Sequence, residues 1–377
     1  MGYLRYSLMT VVLALILLSF VLGGPWLWAG AVLALISTNL IDEIAGSTRK
    51  VHEGVSAAMM NAYLFATLPF LLVLSGLYAT YLSDFDPFGL IALLQRAFGI
   101  DLAAHRAATS LSDLVGATLS LGVICGSAGV NVAHELAHRL HSRRDVAVSR
   151  WLLAFTCDTT FAIEHVFGHH RHVATEADPS TARRGEGLFA FFIRSSLGQF
   201  RGAFVIEARR LTNRGRPIWS HHNRALRGQL MSALYLSLYV YAAGWVGVAG
   251  FFAVALIGKL HLEAISYIEH YGLVRVPGEK VAARHSWDCY RFVSSALLYN
   301  LTRHADHHLD AQKPYWTLEA RKDAPLMPFG YMTMMLMAFV PPLWRRVMRP
   351  HLVHWDRAFA SDGERALIRA REAAGSA

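Results

Sequence analysis

Long runs without a charged side chain are the first constraint on this chain. Ser7–Gly23, Pro25–Ile41, Ala57–Leu82, Leu114–Ala133 and Gly228–Gly258 contain no Asp, Glu, Lys or Arg. A helix needs about 20 apolar residues to cross the hydrocarbon of a bilayer. Only helices and closed barrels cross it with every backbone group paired internally. Composition agrees: 17% of residues are charged, against roughly 25% in a soluble domain. Gly23-Gly24-Pro25 separates the first two runs, and a turn near Gly244 divides the last. The windows predict an all-α integral membrane protein of about six transmembrane helices in three hairpins. The first run passes straight into the second without a small-residue cleavage pattern, so it reads as a hairpin arm rather than a signal peptide. Leu326–Trp344 is apolar, but Pro328, Pro341 and Pro342 predict a shorter interfacial piece.

The segments between these runs set the organisation. Residues 1–133 supply four membrane helices, and residues 134–227 form a segment rich in His and Arg. Residues 228–268 return as the third hairpin, and residues 269–377 hold further histidines and a polar tail. One domain is expected, because the candidate ligands come from both halves. The net charge is +9, and seven arginines between Arg201 and Arg227 face one acid, Glu207. Lys/Arg excess in short loops marks the cytoplasmic side. With six spans, both termini and every histidine cluster fall on that side of an inner (plasma) membrane. Nucleic-acid binding is not expected, since no fold motif accompanies the charge. A docking face for an acidic soluble partner fits better. Cys125, Cys157 and Cys289 form no CxxC pair, which excludes a fused rubredoxin-type or zinc-ribbon module.

Nine of the nineteen histidines fall in four clusters. These are His134-Glu-Leu-Ala-His138, His165-Val-Phe-Gly-His169-His170, Glu269-His270, and His304-Ala-Asp-His307-His308. Spacings of i, i+3 and i+4 put imidazoles on one helix face. Nine imidazoles exceed what one ion can hold, so two ions are implied. Imidazole suits Fe, Cu, Zn and Ni. Ligating histidines usually give their second N–H to a carboxylate, and Glu135, Glu164, Asp178, Glu269 and Asp306 lie close by in sequence. Glu263 is an acid inside an apolar run, where burial is costly and function is the default reading. The other histidines read as surface or packing residues, with His172 and His285 the nearest to extra ligands.

The His134–His138 stretch also satisfies H-E-x-x-H, two zinc ligands and a general base in a metalloprotease. A membrane zinc protease would leave the other three clusters unexplained. A transporter or passive metal binder would tend to place ionisable groups at mid-membrane, whereas these sit at one boundary.

The clusters resemble the boxes of the integral-membrane alkane monooxygenases and the hydroxylase component of xylene monooxygenase, within the membrane di-iron desaturase/hydroxylase superfamily. That family's HE-L/M-x-H, E-H-x-x-G-H-H, N-Y-x-E-H-Y-G and L-Q-R-H-S-D-H-H boxes correspond to His134–His138, Glu164–His170, Ser266–Gly272 and Leu301–His308. Ser266, Thr302 and Ala305 depart from it, none at a ligand position. Flanks such as His270-Tyr-Gly-Leu-Val-Arg-Val-Pro277 and His285-Ser-Trp287 look more like the xylene-type enzyme. The resemblance implies a cytoplasmic cap holding two non-haem irons on His134, His138, His165, His169, His170, His270, His304, His307 and His308. It implies O2-dependent hydroxylation of a terminal or benzylic methyl group of an alkane or alkylarene to a primary alcohol. It also implies two electrons from a separate donor, either rubredoxin with its reductase or a ferredoxin-type flavoprotein reductase. A fatty-acid or lipid desaturase or hydroxylase on the same scaffold is the alternative within the superfamily.

Overall fold

The computed structural model describes residues 2–34, 38–51 and 54–373. Among them there is no strand, only two isolated bridges. The chain divides into two compact units, each discontinuous in sequence. The first comprises residues 1–38, 54–159 and 226–261, and the second residues 39–53, 160–225 and 262–377. His52 and part of the Pro25–Ile41 run lie outside the described residues.

Among the described residues, four helices are long and apolar enough to cross a membrane: Leu4–Leu22, Ala57–Tyr81, Leu111–Ala137 and Arg224–His270. The last has 47 residues, but Ala243 and Gly244 leave helical geometry, Gly244 with φ of 53°. A straight helix would hold Tyr239 and Phe251 about 18 Å apart at 1.5 Å per residue. Their ring centroids are 5.5 Å apart, so the helix folds back at Gly244 into a hairpin, as the sequence predicts. In the described part of Pro25–Ile41 a 3-10 turn, Gly24–Trp28, runs directly into the short helix Ala29–Val32, and the helix Thr38–Ile44 follows residues 35–37, which lie outside the described residues.

Small residues pack the first unit. A Cβ on Gly122 would stand 2.6 Å from Ile257, and one on Gly126 2.7 Å from His261. Both pairs are spaced i, i+4, so one small-residue stripe receives one face of the hairpin. Close backbone approach of this kind drives helix association where lipid removes the hydrophobic force.

The second unit has its own apolar cluster, centred on Trp287, Trp344, Trp355, Tyr267 and Tyr331. It also contains a buried ionic joint. Glu207, on the Leu188–Thr212 helix, is fully buried and receives Arg210 and Arg224 side chains and the Arg224 backbone N–H. Two arginines of the basic face are therefore committed internally. Burial pushes the Glu207 carboxyl up, but the arginine hydrogen bonds outweigh it and hold the carboxyl at about 2. A depressed pKa stabilises the fold above the ordinary carboxylate range, and that contribution is lost as pH falls towards 2. Glu207→Gln, which removes the counter-charge of the half-buried Arg210 and Arg224, should destabilise the protein by about 1–3 kcal/mol at neutral pH. Thermal midpoints in detergent should show the gap to wild type narrowing below pH about 4.5. A gap independent of pH would refute the joint.

Candidate metal centre

The second unit brings seven of the nine clustered histidines together. His169, His270, His304 and His308 each offer a ring nitrogen, all within 4.8 Å of one another. The Nε2 atoms of His169 and His308 are 3.2 Å apart, those of His308 and His304 3.0 Å, and those of His304 and His270 3.1 Å. Nitrogens bound to one ion at about 2.1 Å stand roughly 3.0–3.4 Å apart.

Proton positions decide what this set can hold. His169 Nδ1–H donates to Asp178 Oδ2 at 2.9 Å, so its Nε2 is bare. His270 Nδ1–H donates to the backbone carbonyl of His285 at 3.1 Å, so its Nε2 is bare too. If His308 donates to His169 and His304 donates to His270, His308 and His304 confront each other with two protons at 3.0 Å. Removing either proton leaves a pair of lone pairs face to face. No arrangement of protons satisfies all three contacts, whereas one cation at the centre satisfies all four nitrogens. The donor set therefore fits a metal ion. Burial, then the neighbouring imidazoles, hold His308 well below its ordinary pKa, which keeps it a neutral ligand.

A second set lies beside the first. His170 Nε2 is 3.0 Å from His165 Nε2 and 3.2 Å from His307 Nε2. The reason is local helix geometry. His165–His169 forms a π-turn, which aligns residues five apart. In an α-helix those positions would be turned about 140° from each other. His165 thus shares a set with His170, not with His169 as the i, i+4 spacing suggests. The two His-His dipeptides are both split: His169 and His308 serve one set, His170 and His307 the other. In the first unit His134 and His138 sit on and at the end of the Asn131–Ala137 helix, ring centroids 5.1 Å apart. A π-helical stretch, Cys125–Val130, leads into it. Such π-bulges occur often at functional sites.

The acids divide by what they touch. Asp178 is fully buried and accepts from His169, the Thr181 hydroxyl and the Ser180 N–H. Glu269 Oε2 lies 3.3 Å from His304 Nε2, and its other oxygen accepts the Tyr331 hydroxyl at 3.1 Å. Glu164 packs against Gly168 and Gly202, where a Cβ would stand 2.4 and 3.0 Å from it. Glu135 pairs with Arg139 at 2.8 Å, which engages the would-be base of the protease motif. Asp306 holds Lys313 and the Glu319 N–H, bracing the loop after the last cluster. Glu263 accepts from Gln199 at 2.8 Å, both buried.

Sequence reasoning missed several contributors. His285 is fully buried and uses its carbonyl, not its ring, towards His270. Glu364, far downstream, binds the His285 ring at 2.7 Å. Burial raises its carboxyl, but His285 and Arg284 outweigh that and hold it at about 2. Asp288 accepts the Ala305 N–H at 2.7 Å and so tethers the helix His304–Leu309. Burial pushes its carboxyl up to about 7. His172 lines a surface cleft with Arg171, Arg275 and Glu279 instead.

A family model described as fatty acid desaturase matches residues 110–341. The alkane 1-monooxygenase 1 of Pseudomonas aeruginosa is 39% identical over 241 residues, 63% of each chain. The alkane 1-monooxygenase of Acinetobacter baylyi is 36% identical over 336 residues, 87% of this chain and 76% of the relative. The xylene/toluene monooxygenase hydroxylase component of Pseudomonas putida is 31% identical over 382 residues, 98% of this chain and 94% of the relative. The match to the Pseudomonas aeruginosa protein thus spans just under two thirds of that relative's length.

Proposed function

Because this chain belongs to the fatty acid desaturase family, on its alkane and xylene monooxygenase side, we propose that it is a membrane di-iron monooxygenase. It hydroxylates a terminal or benzylic methyl group of an alkane or alkylarene to a primary alcohol, using O2 and two external electrons. The observation that carries this is the set of four inward-facing Nε2 atoms that protons cannot satisfy. His165, His170 and His307 would hold the second ion, and the family resemblance carries His134 and His138 over as further metal ligands. Six spans are proposed, with the histidines and both termini on the cytoplasmic side of the inner membrane, in line with the arginine excess.

Iron at these sites would supply O2 activation. The chain's own residues do the rest. Asp178 and the His285 carbonyl hold the Nδ1 protons of His169 and His270, which points both lone pairs inward. Burial of the rings excludes water from the reactive centre. An apolar substrate reaches the site from the bilayer, where it dissolves. Electrons come from rubredoxin with its reductase or from a ferredoxin-type flavoprotein reductase, drawn to exposed Arg201, Arg209, Arg214 and Arg227. Arg210 is not available for this, since Glu207 holds it.

Protein purified in detergent and reconstituted with iron should retain about two irons per chain, and with donor and O2 convert octane or p-xylene to the primary alcohol. An unsaturated acyl lipid as the sole product would instead place it among the desaturases. One zinc with no iron uptake, together with peptide cleavage, would revive the protease reading.

A further inference from the structure

We propose that the C-terminal helix Asp362–Ala373 is a latch on the four-imidazole set: Glu364 fixes the His285 ring, and the His285 carbonyl then fixes His270. This rests on the reading of the histidine sets as metal sites.

The chain of contacts is continuous and buried. The Ala282 backbone N–H donates to His285 Nδ1 at 3.0 Å. That assigns the ring proton to Nε2, which donates to Glu364 Oε1 at 2.7 Å. Both side chains are fully buried. The ring is therefore held at both nitrogens. His285 ends the single 3-10 turn Ala283–His285, so the position of its carbonyl depends on how the ring is held. That carbonyl accepts His270 Nδ1–H.

Glu364 is itself fixed. It takes the Arg284 guanidinium at 3.0 Å through both Nε and Nη2, and the Ser361 N–H at 2.7 Å. Ile368, one turn on, sits in the apolar cluster with Trp355. Trp355 Nε1–H donates to the Arg284 carbonyl at 2.7 Å. Ring and backbone of the 282–285 segment are thus tied to the tail at three points. Glu364 and His285 are positioning residues: neither offers an atom to the metal. His270 contributes to one set alone, so the latch acts on one ion of the two.

Glu364→Gln keeps the volume but puts an amide where three donor groups, the Arg284 guanidinium, the His285 ring N–H and the Ser361 N–H, converge. With both irons loaded as 57Fe, the variant should change the Mössbauer signal of one iron and leave the other as in wild type. Loss of that one iron to a chelator should speed up by about 10–100-fold, the usual worth of a partner behind a ligand. Asp362→Asn, on the exposed side of the same helix, should change neither. If Glu364→Gln does not accumulate, His285→Gln keeps the carbonyl and removes the ring, and the same selective change is expected.

Unchanged spectra and chelation rates, or equal changes at both irons, would overturn the latch. A wild-type protein that takes up no iron would overturn the metal-site reading itself, and the latch with it.

Discussion

Asp178→Asn should lower iron affinity and turnover by about 10–100-fold while leaving the protein folded. The reason is a tautomer. Asp178 Oδ2 accepts both the His169 Nδ1–H and the Thr181 hydroxyl, and Oδ1 accepts the Ser180 N–H. An asparagine has one oxygen for three donors. If its amide faces His169, Nδ1 must accept, the ring proton moves to Nε2, and the lone pair that faces His308 is blocked. If it faces Ser180, that buried N–H goes unpaired, at about 1–3 kcal/mol. Burial alone would raise the Asp178 carboxyl, but the neighbouring His169 and the hydrogen bonds from His169 and Thr181 outweigh it and hold it below the usual range. The carboxylate is therefore present across the working pH range. Iron per chain after dialysis, and turnover with iron in excess, check this. A variant that keeps wild-type iron through dialysis would show that Asp178 does not set the His169 tautomer.

The histidines were legible in the sequence because helical spacing and adjacent acids mark them without any fold. Assignment to sets was not. The i, i+4 rule assumes an α-helix, and the π-turn at His165–His169 exchanges the partners of His165. A single sequence holds no period that announces one inserted residue in a turn. The acids were legible as neighbours but not as contacts. Glu135, adjacent to His134, turns to Arg139, whereas Asp178, eight residues beyond His170, reaches His169. Glu364 could not have been found at all, since nothing in its local pattern points to a ring 79 residues upstream. The hairpin turn at Gly244 was legible because the charge-free run Gly228–Gly258 is well over the roughly 20 residues of one span. The 3-10 geometry of Gly24–Trp28 was not, because composition reports apolarity and says little about the type of helical turn.

His169→Ala and His170→Ala should each reduce turnover by more than about 100-fold, since even partners behind ligands are worth up to that much. Yet they should do so by emptying different sites. Adjacent positions on an α-helix point about 100° apart, and here that divergence separates two sets: His169 with His308, and His170 with His165 and His307. Each single variant is expected to hold about one iron, and the double variant to lose both. The signal retained by His169→Ala should be the one that His170→Ala loses. A shared site would behave otherwise, with both variants losing the same iron and the double variant no worse than either. Pairing each with a partner sharpens the test. His169→Ala with His308→Ala should leave the same iron as His169→Ala alone, because both changes fall on one set. His169→Ala with His307→Ala should leave neither. Additive loss within a set, or retention across sets, would contradict the division of the two His-His pairs and require a different grouping of the seven rings.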